Sequence, residues 1–354
     1  MAALGLFLSL VVGCSKAPEA GSSPAASGDR ASFVGRQACE PCHETESRLW
    51  EGSHHDLAMQ EASALTVLGD FDDATFTYNG ITSTFFEKDG RFFVRTDGPD
   101  GELVDYPIAY TFGAVPLQQY LIEFPGGRYQ ALSVCWDTRP AEEGGQRWFH
   151  LYPDEGIDFE DPLHWTGIQQ NWNYMCAECH STDLKKGFDL TTDTFETSWE
   201  EIDVSCEACH GPGSRHVEWA TASERNRGAY DSGHYGLEVR LTDPGRGTWI
   251  VSPETGNGLR LAPPVDTREL EVCARCHSRR SLIWEDYEFG RPSLDTHRLA
   301  LLEEGLYHAD GQIQEEVYVH GSFLQSKMHA QGVTCTDCHD AHTGQMHFPG
   351  DAVC

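Results

Sequence analysis

Ten of the thirteen cysteines stand in five pairs of one spacing, and a histidine follows the second cysteine of every pair. The motifs are Cys39-Glu40-Pro41-Cys42-His43, Cys176-Ala177-Glu178-Cys179-His180, Cys206-Glu207-Ala208-Cys209-His210, Cys273-Ala274-Arg275-Cys276-His277 and Cys335-Thr336-Asp337-Cys338-His339. Two thiols so spaced add across the vinyl groups of a porphyrin, and the adjacent histidine is then held beneath the iron as its proximal ligand. Chance placement predicts on the order of a few hundredths of one match in such a chain, so five are not accidental. Structural zinc would pair Cys-x-x-Cys units into four-ligand sites but gives no reason for the recurring histidine. A thioredoxin-like redox pair would lack that histidine and would want a βαβ setting. The cofactor expected is haem c, five copies covalently attached, with a sixth if the chain continues past Cys354.

Twelve of the seventeen histidines lie outside these motifs. His55, His216, His329 and His342 are expected as distal ligands, with His164 and His297 competing for the remainder. A histidine just downstream of its own motif lies on the proximal side of that porphyrin, so His216 and His342 should reach the iron of a neighbouring haem. The alternative at each position is an ordinary hydrogen-bonded histidine. His55 is preferred to His54 because, on a helix over residues 44–59, it falls near one and a half turns from Trp50, with ring and indole on opposite sides.

The elements that must position these residues divide the chain unevenly. Residues 71–152 carry no attachment motif and alternate apolar with polar side chains, rich in aromatic and β-branched types. The turn signals Asn79-Gly80, Asp89-Gly90, Gly98-Pro99-Asp100-Gly101 and Gly126-Gly127 separate the runs. This predicts an antiparallel β insertion, with Cys135 a buried free thiol in one strand. Helices are expected over residues 44–59, 216–226 and 294–304, and strand character over residues 315–324.

The N-terminus reads as an apolar run ending in Val11-Val12-Gly13-Cys14, followed by an Ala/Gly/Ser/Pro-rich stretch. This is the pattern of a lipoprotein signal with Cys14 lipidated and a flexible tether after it, although the basic residues that normally open such a signal are missing. A short buried helix with an incidental cysteine is the alternative. No other window is apolar enough for a membrane span, so membrane contact is expected through the lipid alone. The expected location is the periplasm or outer face of the cell envelope. The formal charge of -31 would repel phosphate backbones, so nucleic acid is a poor partner, and docking to basic patches of redox proteins suits it better.

The expected fold is therefore a mainly α multihaem cytochrome c with an antiparallel β insertion, its core organised by covalently bound haems. Its expected segments are a signal (1–13), a tether (14–32), a first haem segment (33–70), the β-rich insertion (71–152) and a multihaem domain (153–354) cut off at a sixth site beginning at Cys354.

Several segments carry a resemblance. Trp50-Glu51-Gly52-Ser53-His54-His55-Asp56-Leu57-Ala58-Met59, the stretch from Cys206 to His216, and the stretch from Lys327 to His339 resemble the multihaem cytochrome c-552/4 type domain, related in haem packing to hydroxylamine oxidoreductase. Pro116-Leu117-Gln118-Gln119-Tyr120, residues 145–153 and Asn171-Trp172-Asn173-Tyr174-Met175-Cys176 are similar to a subgroup of large envelope cytochromes that often continue into tetratricopeptide repeats. The likeness spans nearly everything after Phe33; no such repeats occur here, as expected of a chain that stops early. Five haems in a chain with a radius of gyration near ~20 Å must be close neighbours, which favours electron transfer. The resemblance keeps two alternatives open: an oxidoreductase acting on a small nitrogen or sulfur compound at one open-sited haem, and a redox-sensing or scaffold module of a longer repeat protein. Against the enzyme, there is no Cys-x-x-Cys-Lys motif of the kind seen in ammonia-forming nitrite reductases.

Overall fold

Asn79-Gly80 and Asp89-Gly90 both adopt left-handed backbone, with φ of 44° and 83° and of 53° and 74°. Such paired positive angles match the twist of a two-residue hairpin, and they join β2 (Ala74–Tyr78) to β3 (Ile81–Lys88) and β3 to β4 (Arg91–Asp97). The meander continues through β5 (Leu103–Phe112) and β6 (Leu117–Phe124) to β8 (Val134–Asp137) and β9 (Arg147–His150). Two short strands, β1 (Met59–Glu61) on β5 and β7 (Arg128–Ala131) on β6, complete a nine-stranded antiparallel sheet. The sheet curls until its ends meet: the Tyr78 ring of β2 stacks on His150 of β9 at 3.6 Å between centroids. This computed structural model describes residues 30–229, 233–241, 247–261, 268–300, 302–314 and 318–350. Cys14 and Cys354, with the signal and sixth-site expectations they carry, lie outside the described residues.

At β6 both faces of the sheet are buried. On β6, Tyr120 and Ile122 point into a core built with Phe71, Phe85, Val94, Trp148 and Trp165, while Leu121 between them joins Met59, Phe112, Ala131 and Trp172 on the other face. All three β6 side chains are fully buried. The first cluster is aromatic and interlocked, with Phe85 stacked on Trp148 at 3.5 Å and Phe71 edge-on to both. Into the second cluster pack Cys176 and Ala177 of the second attachment motif, so the sheet carries that motif on its back. Cys135 is buried on β8, its thiol directed at the Leu132 and Ser133 carbonyls.

The expectation of a mainly α chain is overturned: helix makes up only 23% and strand 26%. The helices are α1 (Glu44–Trp50), α2 (Trp172–Met175), α3 (Ala177–His180), α4 (Cys206–His210), α5 (Ser214–Thr221), α6 (Arg268–His277), α7 (Val319–Leu324), α8 (Lys327–Ala330) and α9 (Cys335–Cys338). Most are one or two turns long because each attachment motif forms a turn and stops. Between them run loops and three two-stranded ribbons: β10 (Phe188–Asp189) with β11 (Thr194–Phe195), β12 (Trp249–Val251) with β13 (Gly258–Arg260), and β14 (Arg280–Leu282) with β15 (His297–Leu299). The helix expected over residues 44–59 ends at Trp50, where Gly52 at φ 76° turns the chain away. That over 216–226 ends at Thr221. Residues 294–304 hold the strand β15 instead of a helix, because His297–Leu299 zip onto β14. In the expected strand over 315–324, Val319–Leu324 is helical.

Candidate functional site: attachment turns and histidine pairs

Each motif winds as one helical turn, which brings its two cysteines to the same side. In the first, the Cys42 and His43 amides donate to the Cys39 carbonyl at 3.1 and 3.0 Å. In the second, the Cys179 amide donates to the Cys176 carbonyl at 3.1 Å. The third is α4, closed by Gly211 at φ 77°, where a side chain would be strained and would also strike Phe289. The fourth is the end of α6, and the fifth is α9, opened by a capping box between Thr334 and Asp337.

The turns lie against one another. The Cys39 and Cys206 thiols are close enough to perturb each other's ionisation, as are Cys179 with Cys276 and Cys273 with Cys335. The first turn thus neighbours the third, and the fourth neighbours both the second and the fifth. What holds them was missed in the sequence: the charged residues inside the Cys-x-x-Cys spacing. Glu207 is buried and accepts the amides of Val34 (3.1 Å), Gly35 (2.8 Å) and Gly213 (2.7 Å), tying the first segment to the third turn. Glu178 receives Arg280 Nη1 at 3.1 Å and pairs with His297 Nε2 at 3.0 Å. Burial works against its ionisation, but the His297 hydrogen bond and the Arg280 charge hold its carboxyl down to about 2. Asp337 takes both terminal nitrogens of buried Arg260, at 3.1 and 3.0 Å. Arg275 Nη1 donates to the Ala208 carbonyl at 3.3 Å. Glu269, about one turn ahead of the fourth motif on α6, accepts the Thr336 amide at 2.8 Å.

Three motif histidines face a histidine from a remote part of the chain. The ring centroids of His43 and His216 are 6.0 Å apart, those of His55 and His277 6.4 Å, and those of His210 and His342 6.4 Å. Two imidazoles on one metal stand about 6 Å apart, being two metal–nitrogen bonds of about 2 Å and the distance from each nitrogen to its ring centre. The second shell fits as well. Axial histidines commonly donate Nδ1–H to a carbonyl and leave Nε2 for the metal. His216 donates to the Tyr235 carbonyl (2.8 Å), His180 to Ala58 (3.0 Å) and His329 to Leu324 (2.9 Å). His55 hydrogen-bonds the Ala341 backbone. His55 reaches His277 although the helical spacing that favoured it does not exist, the chain having turned at Gly52. His329 packs on Phe323 and is in ring contact with no motif histidine among the described residues.

His164 and His297 have no nitrogen to offer. His164 pairs through Nε2 with Asp97 (3.2 Å) and through Nδ1 with Thr166 (2.8 Å), and His297 is fully buried between Glu178 and Thr296. Large apolar side chains stand exposed beside the turns, such as Tyr174 at 65% and Met175 at 51%, as suits walls for a porphyrin. Paired thiols, paired imidazoles and apolar walls fit covalently held haem.

Residues 162–211, which contain the second and third motifs, match the family described as cytochrome c554 and c-prime. Over those residues the chain is similar to c-type cytochromes. Among curated proteins no significant match to this chain was found. Among solved structures it is similar to the outer cell wall cytochrome OcwA, with 17% identity and a TM-score of 0.49 over 90% of this chain and 58% of that one. It is also similar to the undecahaem cytochrome from the S-layer of Carboxydothermus ferrireducens, with 15% identity and a TM-score of 0.36 over 90% of this chain and 41% of that one. The chain thus spans less than two thirds of the length of either.

Proposed function

We propose that the cytochrome relays electrons in the cell envelope through five haems, held by Cys39 and Cys42, Cys176 and Cys179, Cys206 and Cys209, Cys273 and Cys276, and Cys335 and Cys338. The observation that carries this reading is the set of three histidine pairs at 6.0 to 6.4 Å. They support a pairing in which His216 would share an iron with His43, His55 with His277, and His342 with His210. Haem iron supplies one-electron chemistry, and two imidazole ligands keep it closed to small molecules and suited to changing charge with little rearrangement. The chain's part is to fix the rings in pairs and to pack neighbouring turns together. Export to the envelope rests on the signal-like run before Cys14 and on haem c attachment outside the cytoplasm, and Cys14→Ser should release the protein from membranes. The charge of -31 suits donors or acceptors with basic docking patches.

Optical and electron paramagnetic resonance spectra of the haem-loaded protein test the relay. At least three low-spin haems are expected. His55→Ala, His216→Ala and His342→Ala should each convert one haem to a high-spin form that binds carbon monoxide. If fewer than two do so, the pairing is wrong. A high-spin, ligand-binding haem in the unmodified protein would turn the case towards an enzyme.

A further inference from the structure

Arg280 and Arg275 stand where the second, third and fourth attachment turns meet. Arg280 opens β14, its side chain only 10% exposed; Nη1 lies 3.1 Å from Glu178 and Nη2 3.3 Å from Cys179 Sγ, while Nε donates to the Arg275 carbonyl. Arg275 sits between Cys273 and Cys276, its guanidinium 4.3 Å from the Tyr287 ring centre and 5.0 Å from that of Phe289, and it reaches the Ala208 carbonyl of the third turn. The other charges near this junction are Lys186, buried over the Tyr174 ring at 4.6 Å, and the carboxylates of Glu178, Glu207, Glu271 and Glu285.

We infer that Arg275 and Arg280 raise the reduction potential of the haems at the second and fourth turns. The inference rests on the reading of those turns as haem sites. A guanidinium stays charged at any pH the protein meets. Away from water its field is weakly screened, so it favours the reduced iron, which carries one positive charge fewer. Arg280 is a positioning residue in this scheme, acting through the sulfur and the carboxylate it touches. A clamp of purely mechanical value would respond to the loss of either partner in the same way. An electrostatic centre responds with opposite signs.

The test is a spectropotentiometric titration of the haem-loaded protein, with haem stoichiometry from intact mass, for Arg280→Gln, Arg280→Lys and Glu178→Gln. Arg280→Gln should lower at least one midpoint, Glu178→Gln should raise one, and Arg280→Lys should return close to the parent value. Unshifted midpoints, or shifts of one sign for Arg280→Gln and Glu178→Gln at full haem content, overturn the inference. If Arg280→Gln does not take up all its haems, the upward shift of Glu178→Gln decides, and its absence overturns the proposal equally. A parent protein without haem on Cys176 and Cys179 or on Cys273 and Cys276 would instead sink the relay reading itself.

Discussion

Asp337 shows how a spacer residue inside an attachment motif becomes structural. Its carboxylate caps the turn through the Thr334 amide at 2.8 Å and receives the fork of Arg260, whose side chain is 2% exposed. Removing one member of such a pair leaves a charge uncompensated away from water, which costs about 3–5 kcal/mol. Asp337→Ala should therefore lower the denaturant midpoint sharply, as followed by the haem absorption band, while Asp337→Ala with Arg260→Met should recover part of the loss because both charges are gone. A double variant no more stable than the single one would refute this account. The cysteines and proximal histidines are legible in the sequence because covalent chemistry dictates their spacing. Glu178, Glu207, Arg275 and Asp337 are not, because the motif permits any residue there and only the packing of one turn on another gives them partners. A visible signal existed: all five motifs place a charged residue directly before the second cysteine or directly after the first, where an indifferent spacer would vary freely.

The closing contact of the sheet gives an element-scale prediction. His150 stacks on Tyr78 and its Nδ1 accepts the Tyr152 amide at 3.1 Å, so the ring must be neutral, and burial lowers its pKa to about 4. The unfolded chain takes up the proton near the ordinary value of 6.5. The contribution is therefore complete above about pH 6.5 and is lost as the pH falls towards 4. Urea midpoints should fall between pH 7 and 4.5 by an amount equivalent to about 1–2 kcal/mol, discounted for partial solvent screening. His150→Phe, which keeps the stack, should show a smaller fall, and an equal fall in the variant would remove His150 as the cause. The hairpins beside this contact are readable from Asn79-Gly80 and Asp89-Gly90 because a two-residue turn is a local decision of the backbone. β6 obscures its alternation, since Tyr120, Leu121 and Ile122 are all buried, on two faces. The short helices defeat periodicity for another reason: turns such as α4 and α9 hold one motif each and bury little apolar surface of their own, so no amphipathic stripe exists to be read.

At the scale of the whole molecule the three histidine pairs form a set of interlocked long-range ties. His216, which follows the third motif, faces His43 of the first; His55, which follows the first, faces His277 of the fourth; His342, which follows the fifth, faces His210 of the third. Under the proposed ligation each iron closes a long loop, and removing that loop's freedom from the unfolded chain is a stabilisation that packing alone does not supply there. Both clusters of buried apolar side chains lie in or against the sheet, whereas beyond residue 204 buried apolar residues such as Val239, Leu270, Val272 and Tyr307 are scattered. The two regions should therefore answer differently to loss of haem. A chain produced without haem attachment should keep a protease-resistant fragment of roughly residues 59–203, with Phe71, Phe85, Trp148 and Trp172 packed, while the attachment turns beyond it are digested. The haem-loaded chain should resist cleavage in both regions. Limited proteolysis with mass mapping reads this directly. Equal protection of residues 206–350 without haem would show that this part folds on its own contacts, and would leave the histidine pairs as passengers of the fold rather than its ties.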